Sequence, residues 1–228
     1  MKLFDAESPG PRTTRDSQLT AISFVADAIN RTVDIREIAD NALHAMLAVT
    51  GLDAGAVYVW AEDERALRLF AHRGVSETFA RQVSRIHKGD DPTVDLVLEG
   101  ATKVIEDFTL TPRMPRADVV RAGFQSTLLC PIRAQGFVVG MLALGTSKQC
   151  AFEVEDIDLI EVISNQIGNG MVHAQLEGDL RASEEHYRAL VENTDDAIYI
   201  AGPDVRPRYA NTAFERILGA HVAEDGWI

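Results

Sequence analysis

The chain has 228 residues, 46% of them hydrophobic, so it can bury the core of one domain and part of a second. Its 22 Lys and Arg residues against 35 Asp and Glu residues give a formal net charge of -13, the wrong sign for neutralising phosphates, which argues against a nucleic-acid partner. Apolar runs such as residues 137–144 are far shorter than the ~20 residues that span a bilayer, and the first residues lack a signal-peptide pattern, so we expect a cytoplasmic protein without membrane contact.

The N-terminal part predicts a lead followed by two helices. Residues 1–16 lack apolar periodicity, so we expect them to be flexible. The helix nearer the middle of the chain covers residues 34–49, with Asp34 as its N-cap and Gly51 at its end. The earlier helix is predicted by apolar residues three or four positions apart, which are Leu19, Ile22, Ala26 and Ile29.

The next part of the chain predicts a β-hairpin and several short elements. Residues 56–60 and 66–72 read as its two strands, and the acidic residues between them form the turn. Turn-forming Gly, Pro and polar residues separate the elements that follow. These are a helix capped by Ser76 that extends to about residue 85, a helix at 93–99, a strand at 101–106, a loop at 107–116 and a helix at 117–122.

A second hairpin, at residues 126–132 and 138–144, is predicted to supply two central strands of a sheet. Both runs are short and apolar, and a charged, Gly-containing turn separates them. Because proline lacks a ladder donor, Pro131 is expected near a strand end. Gly140 predicts a bulge or a close approach between two backbones.

A long amphipathic helix is predicted to begin near Glu153. No proline interrupts the chain before residue 203, so the helix can exceed about thirty residues and extend past its own domain. Its apolar stripe consists of Ile157, Ile160, Ile167, Met171 and Ala174.

The two cysteines, Cys130 and Cys150, have neither CxxC nor metal-ligand spacing. Cys130 falls in an apolar predicted strand, where we expect it to be a small core side chain. Cys150 falls in a polar turn, and we expect it to be an incidental thiol. No metal site is predicted.

The predicted elements follow one another in the order hairpin, loop, short helix, hairpin and long helix, and four sequence segments along this order carry a family resemblance. They are RGVSETFA (73–80), VLEGATKVIED (97–107), AGFQSTLLCPI (122–132) and FEVEDIDLI (152–160). Together they resemble successive parts of a GAF domain over about residues 17–175. The resemblance implies an α+β fold in which helices pack on an antiparallel sheet, with long helices at both ends. It is specific for fold rather than function, because GAF domains bind many different ligands.

A second resemblance begins after a helical linker at residues 176–182. EEHYRALVENTDDAIYI (184–200) and YANTAFERILG (209–219) resemble the start, second strand and first internal helix of a PAS domain, so residues 183–228 form a truncated PAS domain. The remaining PAS strands have no counterpart here, and this part cannot bury its own apolar face. We therefore expect a fragment of a longer sensor protein with a downstream kinase or other output domain.

The GAF resemblance also implies a ligand pocket between one face of the sheet and the loops and short helices over it. Carried over position by position, it points to His72, Arg73, Pro92, Thr93, Asp107, Phe124, Ser126 and Thr127. Two hydroxyls and the charge of Arg73 suit a small polar or anionic ligand. The alternative is that Ser126 and Thr127 meet ordinary backbone and turn requirements.

Residues that the sequence lacks argue against the known GAF cofactors. Haem-binding relatives carry an axial histidine just before the fourth strand, and no histidine lies between Asp107 and Thr127. Neither cysteine has the neighbouring histidine of a bilin site. Phe152 and Asp156 match the cyclic-nucleotide signature, but these two residues are general to the fold. The Asn and Glu of that signature are replaced by other residues here. We therefore expect no cofactor, and the binding of an unidentified small molecule stays an open alternative.

The resemblances imply a sensory and regulatory module of a histidine-kinase-like, two-component signal-transduction protein. Small-molecule sensing, homodimerisation or both would be relayed through the C-terminal helix to the PAS segment and the output domain. The dimer interface is expected on the stripes of the two terminal helices. Its residues are Leu19, Ile22, Ala26, Ile29, Ile157, Ile160, Ile167, Met171 and Ala174.

Two alternative functions stay open. In a ligand-free structural dimerisation domain, Phe108, Met114 and Phe124 would fill the space above the sheet, whereas a cavity of ~300 Å³ or more would favour a ligand. An enzyme similar to methionine sulfoxide reductases would need thiols that reach each other, but Cys130 and Cys150 lie on opposite sides of a hairpin. We expect no enzymatic activity.

Overall fold

A computed structural model describes Ser23 and residues 34–108, 117–149, 152–203, 207–218, 222–223 and 226–227. The chain divides into two compact units, residues 1–175 and 176–228. The predicted flexible lead and the stripe of Leu19, Ile22, Ala26 and Ile29 lie outside the described residues. No described helix is both long and apolar enough to cross a membrane.

Helix α1 (Ile35–Thr50) lies within one residue of its predicted bounds, 34–49. The Asp34 carboxylate accepts a hydrogen bond from the Arg36 amide at 2.8 Å, as expected of an N-cap. Gly51 adopts a left-handed conformation (φ 66°), and its amide donates to the carbonyl oxygen of Leu47. Both caps are therefore confirmed.

Six strands form one sheet in the order β3-β2-β1-β6-β5-β4, and every neighbouring pair is antiparallel. This sheet confirms the two predicted hairpins, the central position of the second hairpin and the α+β fold class. The strands are β1 (Ala54–Ala61), β2 (Ala66–Arg73), β3 (Arg85–His87), β4 (Lys103–Ile105), β5 (Ser126–Ala134) and β6 (Phe137–Thr146).

Strand β3 corrects one prediction, because the helix capped by Ser76 ends before residue 85. That helix, α2, stops at Gln82, and Arg85–His87 then pairs with β2. Ile86 is buried between two exposed neighbours, which is the alternation of a strand. The other described helices that begin after residue 50 in this unit are α2 (Glu77–Gln82), α3 (Pro92–Leu98), α4 (Ala117–Arg121) and α5 (Val154–Glu192), the last of which continues into the second unit.

The two faces of the sheet have different coverings. On one face, Leu142 and Leu144 of β6 pack in a large core with helices α1 and α5. On the other face, Met141 packs in a smaller cluster with Val94 and Val97 of α3. Since neighbouring residues of a strand point to opposite faces, β6 contributes to both cores.

Helix α5 corrects the predicted dimer interface. Its predicted stripe faces the sheet of its own unit: Ile160 and Ile167 are fully buried, Met171 is 7% exposed, and all three belong to the core. Ile157 packs against this core, and Ala174 is buried. These side chains fill the core of one chain and are therefore not available for contact with a second copy.

Pro131 also differs from its prediction, because it lies inside β5 rather than near its end. The outer neighbour, β4, pairs only as far as Leu129, so the missing N–H of Pro131 faces no further strand on that side. Helix α5 covers this segment, and the Ser164 hydroxyl donates to the Pro131 carbonyl oxygen at 3.0 Å.

The prediction for Gly140 is confirmed. A Cβ at this position would lie 2.2 Å from the carbonyl oxygen of Tyr58, so the backbones of β1 and β6 approach closely here. The register of β5 and β6 also shifts between Ile132, which pairs with Gly140, and Arg133, which pairs with Val138.

The second unit is organised around the buried side chain of Asn211. Its amide nitrogen donates to the carbonyl oxygens of Val191 and Asp196, both at 2.9 Å. Its oxygen accepts from the amides of Ile198 at 2.9 Å and Phe214 at 3.0 Å. The elements of this unit, after α5, are β7 (Tyr199–Ala201), β8 (Pro207–Ala210), α6 (Thr212–Leu218), β9 (Val222–Ala223) and β10 (Gly226–Trp227).

The Glu192 carboxylate at the end of α5 supports the same arrangement. It accepts hydrogen bonds from the Tyr209 hydroxyl and from the amide and hydroxyl of Thr212. These bonds, the Tyr209 bond first, lower the pKa of Glu192. Burial, followed by the bond to Glu192, raises the pKa of Tyr209 to about 12. Several apolar side chains stay exposed, namely Tyr199, Ile200, Ile217 and Leu218.

Candidate functional site

A cavity of about 100 Å³ lies over the centre of the sheet, on the face that carries α2 and α3. Its floor is made of small residues on two neighbouring strands: Ala56 of β1 pairs with Ala143 of β6, and Ala54 pairs with Gly145. Larger residues at these positions would occupy the space above them. The cavity therefore follows directly from the choice of Ala and Gly in the two central strands.

Aromatic side chains form another part of the cavity wall. The rings of Phe79 in α2 and Phe124 before β5 are 5.9 Å apart, at an interplanar angle of 50°. A Cβ on Gly145 would lie 3.0 Å from the Phe124 ring, so a larger residue there would displace it. Phe108, which is buried, also lines the cavity.

Few lining side chains are polar. The Asp91 carboxylate is 3% exposed and caps helix α3 by accepting from the Thr93 amide at 2.8 Å. The Thr127 hydroxyl donates to the Leu144 carbonyl oxygen at 2.6 Å. His72 at the end of β2 is partly exposed, with Nε2 3.9 Å from a carboxylate oxygen of Glu77.

The structure places three of the eight predicted ligand contacts on the cavity: His72, Phe124 and Thr127. Arg73 is exposed and does not line it. Nor do the other four, which are Pro92, Thr93, Asp107 and Ser126. For two of these, the neighbouring residues Asp91 and Phe108 line the cavity instead.

Ser126 has a structural role, in agreement with the alternative that its hydroxyl meets backbone and turn requirements. The side chain is fully buried, and its hydroxyl lies 2.5 Å from the carbonyl oxygen of Glu106 and 3.0 Å from that of Lys148. It joins the loop after β4 to the loop after β6. Both partners of this hydroxyl are backbone carbonyl oxygens.

Sequence reasoning missed Asp91, Phe79 and the small-residue floor. Asp91 precedes Pro92 at the start of a helix, a pattern that predicts an N-cap. The same pattern gives no indication that Asp91 also lines the cavity. Ala56 and Ala143 become recognisable as a floor only once the pairing of β1 with β6 is known. That pairing joins residues far apart in sequence.

A wider surface groove adjoins the cavity. It has a volume of about 510 Å³. Val75, Phe79 and Phe124 line both spaces, so the two aromatic rings form part of the wall between them. The other residues of the groove are Gly74, Ser76, Thr78, Gln82, Arg121 and Ala122.

The turn after β6 is fixed by the Asp53 carboxylate. One oxygen accepts from the Thr146 hydroxyl at 2.9 Å and from the amide and hydroxyl of Ser147, both at 2.7 Å. The bonds from Ser147 lower the pKa of Asp53. This turn starts the connection from the sheet to α5.

Cys130 is a core side chain, as predicted. It is fully buried, and this burial raises the pKa of its thiol to about 11. Cys150 lies outside the described residues. Within the described part of the chain, no group of three or more His, Cys, Asp and Glu side chains could hold a metal ion.

Together these features define an α+β domain with a small cavity on one face of an antiparallel sheet. A GAF domain model matches residues 32–172, more than half of the sequence, and the chain belongs to the GAF domain family. A PAS domain model matches residues 185–228. Both predicted resemblances are confirmed.

Solved structures share this fold. A GAF domain of a phosphoenolpyruvate-protein phosphotransferase from Coxiella burnetii is 16% identical with a TM-score of 0.63, covering 72% of this chain and 98% of its own. A domain assigned to a two-component sensor histidine kinase protein from Sinorhizobium meliloti is 21% identical with a TM-score of 0.56, covering 65% and 97%. Free methionine-R-sulfoxide reductase from Neisseria meningitidis is 13% identical with a TM-score of 0.62, covering 75% and 98%. No curated protein sequence matches significantly.

Proposed function

We propose that this chain is a sensory module of a signal-transduction protein, in which the cavity of the GAF unit takes up a small molecule and helix α5 carries the response. The observation that supports this most strongly is the position of strand β5. Thr127 and Leu129 of this strand line the cavity. A few residues further on, Pro131 accepts a hydrogen bond from Ser164 of α5.

Other contacts tie this strand and the segment before its neighbour β4 closely to the helix. A Cβ on Gly168 would lie 2.3 Å from the Arg133 carbonyl oxygen, so helix and strand meet there without space for a side chain. The Thr102 hydroxyl, just before β4, donates to the Glu161 carboxylate. A displacement of β5 by a ligand therefore reaches α5 through direct contacts, because closely packed elements cannot move independently.

Homodimerisation is part of this proposal, on a different face of α5 from the one first predicted. Between residues 176 and 190 the exposed apolar side chains recur at spacings of four, seven and three, which is the pattern of coiled-coil core positions with Ser183 at the omitted place. A second copy of the helix would cover them. They are Leu176, Leu180, Tyr187 and Leu190, each more than half exposed.

A ligand-free dimerisation domain is the second candidate, and the size of the cavity favours it. The volume of about 100 Å³ is below the roughly 300 Å³ of typical ligand pockets. Phe108 and Phe124 do occupy part of the space above the sheet, as this alternative expects, whereas Met114 lies outside the described residues. The two candidates differ in whether anything binds.

A methionine sulfoxide reductase activity has less support, although one solved structure of the same fold is such an enzyme. The nucleophile in thiol chemistry is the thiolate. Cys130 is fully buried, with a pKa of about 11, so almost none of it is ionised at neutral pH. It also lies on the sheet face that packs against α1 and α5, opposite the cavity.

Native mass spectrometry of freshly purified protein separates the sensor from the ligand-free dimerisation domain in one measurement. A dimer that carries an added small-molecule mass is the result expected of the sensor. A dimer without added mass would instead support the structural dimerisation domain. A monomer without added mass at high micromolar concentration would contradict both.

A further inference from the structure

We infer that the cavity selects a compact apolar molecule without negative charge, an inference that rests on the proposed sensory function and names its ligand class. The sequence suggests a polar or anionic ligand because of Arg73, Ser126 and Thr127. Arg73 and Ser126 do not line the cavity, and the Thr127 hydroxyl, which does, donates to the Leu144 carbonyl oxygen. The ligand class therefore has to be argued from the other side chains that line it.

Volume limits the ligand to a few atoms. An apolar cavity of roughly 150 Å³ holds benzene, so a cavity of about 100 Å³ holds about four heavy atoms as it stands, and a substituted ring fits only when the wall moves outward. Nucleotides and tetrapyrroles are far larger than this. The floor of Ala56, Ala143 and Gly145 is flat and apolar, which suits a planar ring.

Charge further narrows the ligand class. Three of the described lining residues have ionisable side chains: Asp91, His72 and Tyr58. Asp91 is almost fully buried, and Glu77 lies near His72 on the outer side. A ligand carboxylate or phosphate would face the Asp91 carboxylate in a poorly solvated space, which is unfavourable, whereas an amine or a hydroxyl could donate to it.

The Phe79–Phe124 ring pair provides the route into the cavity. These rings and Val75 line both the cavity and the wider surface groove. Rotation of either ring would connect the two spaces.

The test uses the whole chain and four ring probes: phenol, benzylamine, benzoate and benzamide, the last of which matches benzoate in size and is uncharged. Thermal unfolding is followed at millimolar probe concentrations, since a molecule that binds only the folded state raises Tm. Phenol, benzylamine and benzamide are expected to raise Tm, and benzoate is not. A rise with benzoate equal to that with benzamide, or no rise with benzamide, would overturn the inference.

Two kinds of variant show whether the probes occupy this cavity. Ala143→Val fills the floor and is expected to abolish the rise in Tm; Ala56→Val serves the same purpose if the first variant does not fold. Asp91→Asn keeps an N-cap residue on α3 and is expected to weaken the binding of benzylamine about tenfold and the binding of phenol by a clearly smaller factor. Unchanged binding in the filled variants, or equal losses for both probes in Asp91→Asn, would contradict the assigned site.

The same probes separate this inference from the proposed function. Binding of phenol without any change in α5 would leave the ligand class standing and overturn the sensory relay. Binding of benzoate in preference to benzylamine, accompanied by a change in α5, would overturn the ligand class and leave the relay intact.

Discussion

Gly168 is the residue at which helix α5 and strand β5 come closest. A Cβ there would lie 2.3 Å from the Arg133 carbonyl oxygen, a distance that backbone atoms cannot accommodate without moving the helix. Gly168→Ala is therefore expected to destabilise the protein by about 2 kcal/mol. Urea unfolding measures this change in the free energy of unfolding.

Gly178 provides the matched control on the same helix, because nothing lies within 4 Å of a Cβ built there. Gly178→Ala should stabilise the helix by up to about 1 kcal/mol, through the higher helix propensity of alanine. Equal effects of the two substitutions would show that Gly168 is not a contact point.

Asp53 makes a pH-dependent contribution to stability. The Ser147 bonds lower the pKa of its carboxyl in the folded state, so the stabilisation is present above the unfolded-state pKa and is lost as pH falls through the folded-state pKa. The substitution Asp53→Asn is expected to lower the free energy of unfolding by about 1 kcal/mol at pH 7. This value is modest because the side chain is exposed. Unfolding of both proteins across pH 3–7 tests this, and a difference that does not shrink at low pH would contradict it.

Local chemistry explains which residue-scale predictions succeeded. Asp34, Gly51 and Ser76 were predicted because a cap depends on a few adjacent residues, and all three act as caps. Pro131 was misplaced because its tolerance depends on where a partner strand, β4, stops pairing. That information is absent from the residues around it.

At the scale of elements, the long periodic patterns and the short elements bounded by turn residues, such as α3, α4 and β4, were predicted well, whereas strand β3 was missed. Both hairpins and helix α5 have enough residues to establish a period. Strand β3 has three residues, too few to distinguish it from a helix end. The stripe of α5 that includes Ile160 and Ile167 was identified correctly as apolar, but periodicity alone cannot say whether a sheet or a second chain covers it.

The exposed stripe of α5 gives the prediction for dimerisation. Leu180→Glu places a charge at a coiled-coil core position and is expected to weaken the dimer at least about tenfold, as measured by sedimentation equilibrium. Ala189→Glu introduces the same charge at an exposed position outside the stripe and should leave the dimer intact. A wild-type monomer, or equal weakening by both substitutions, would contradict this interface.

At the scale of the whole molecule, the family and the side of the sheet that bears the cavity could be predicted, whereas the chemical character of the cavity could not. His72, Phe124 and Thr127 line it, as the family resemblance implied. The floor and Asp91 depend on strand pairing and helix placement across the chain. The polar ligand was inferred from Arg73, Ser126 and Thr127, and of these residues only Thr127 lines the cavity.

The central claim is that occupancy of the cavity changes helix α5 through strand β5. Amide hydrogen exchange of the whole chain, with and without saturating phenol, tests it most directly when read in peptides covering residues 126–134 and 159–171. We expect exchange in both segments to slow about fivefold in the wild type and to stay unchanged in Ala143→Val. A rise in Tm with phenol, accompanied by unaltered exchange in residues 159–171, would contradict the account.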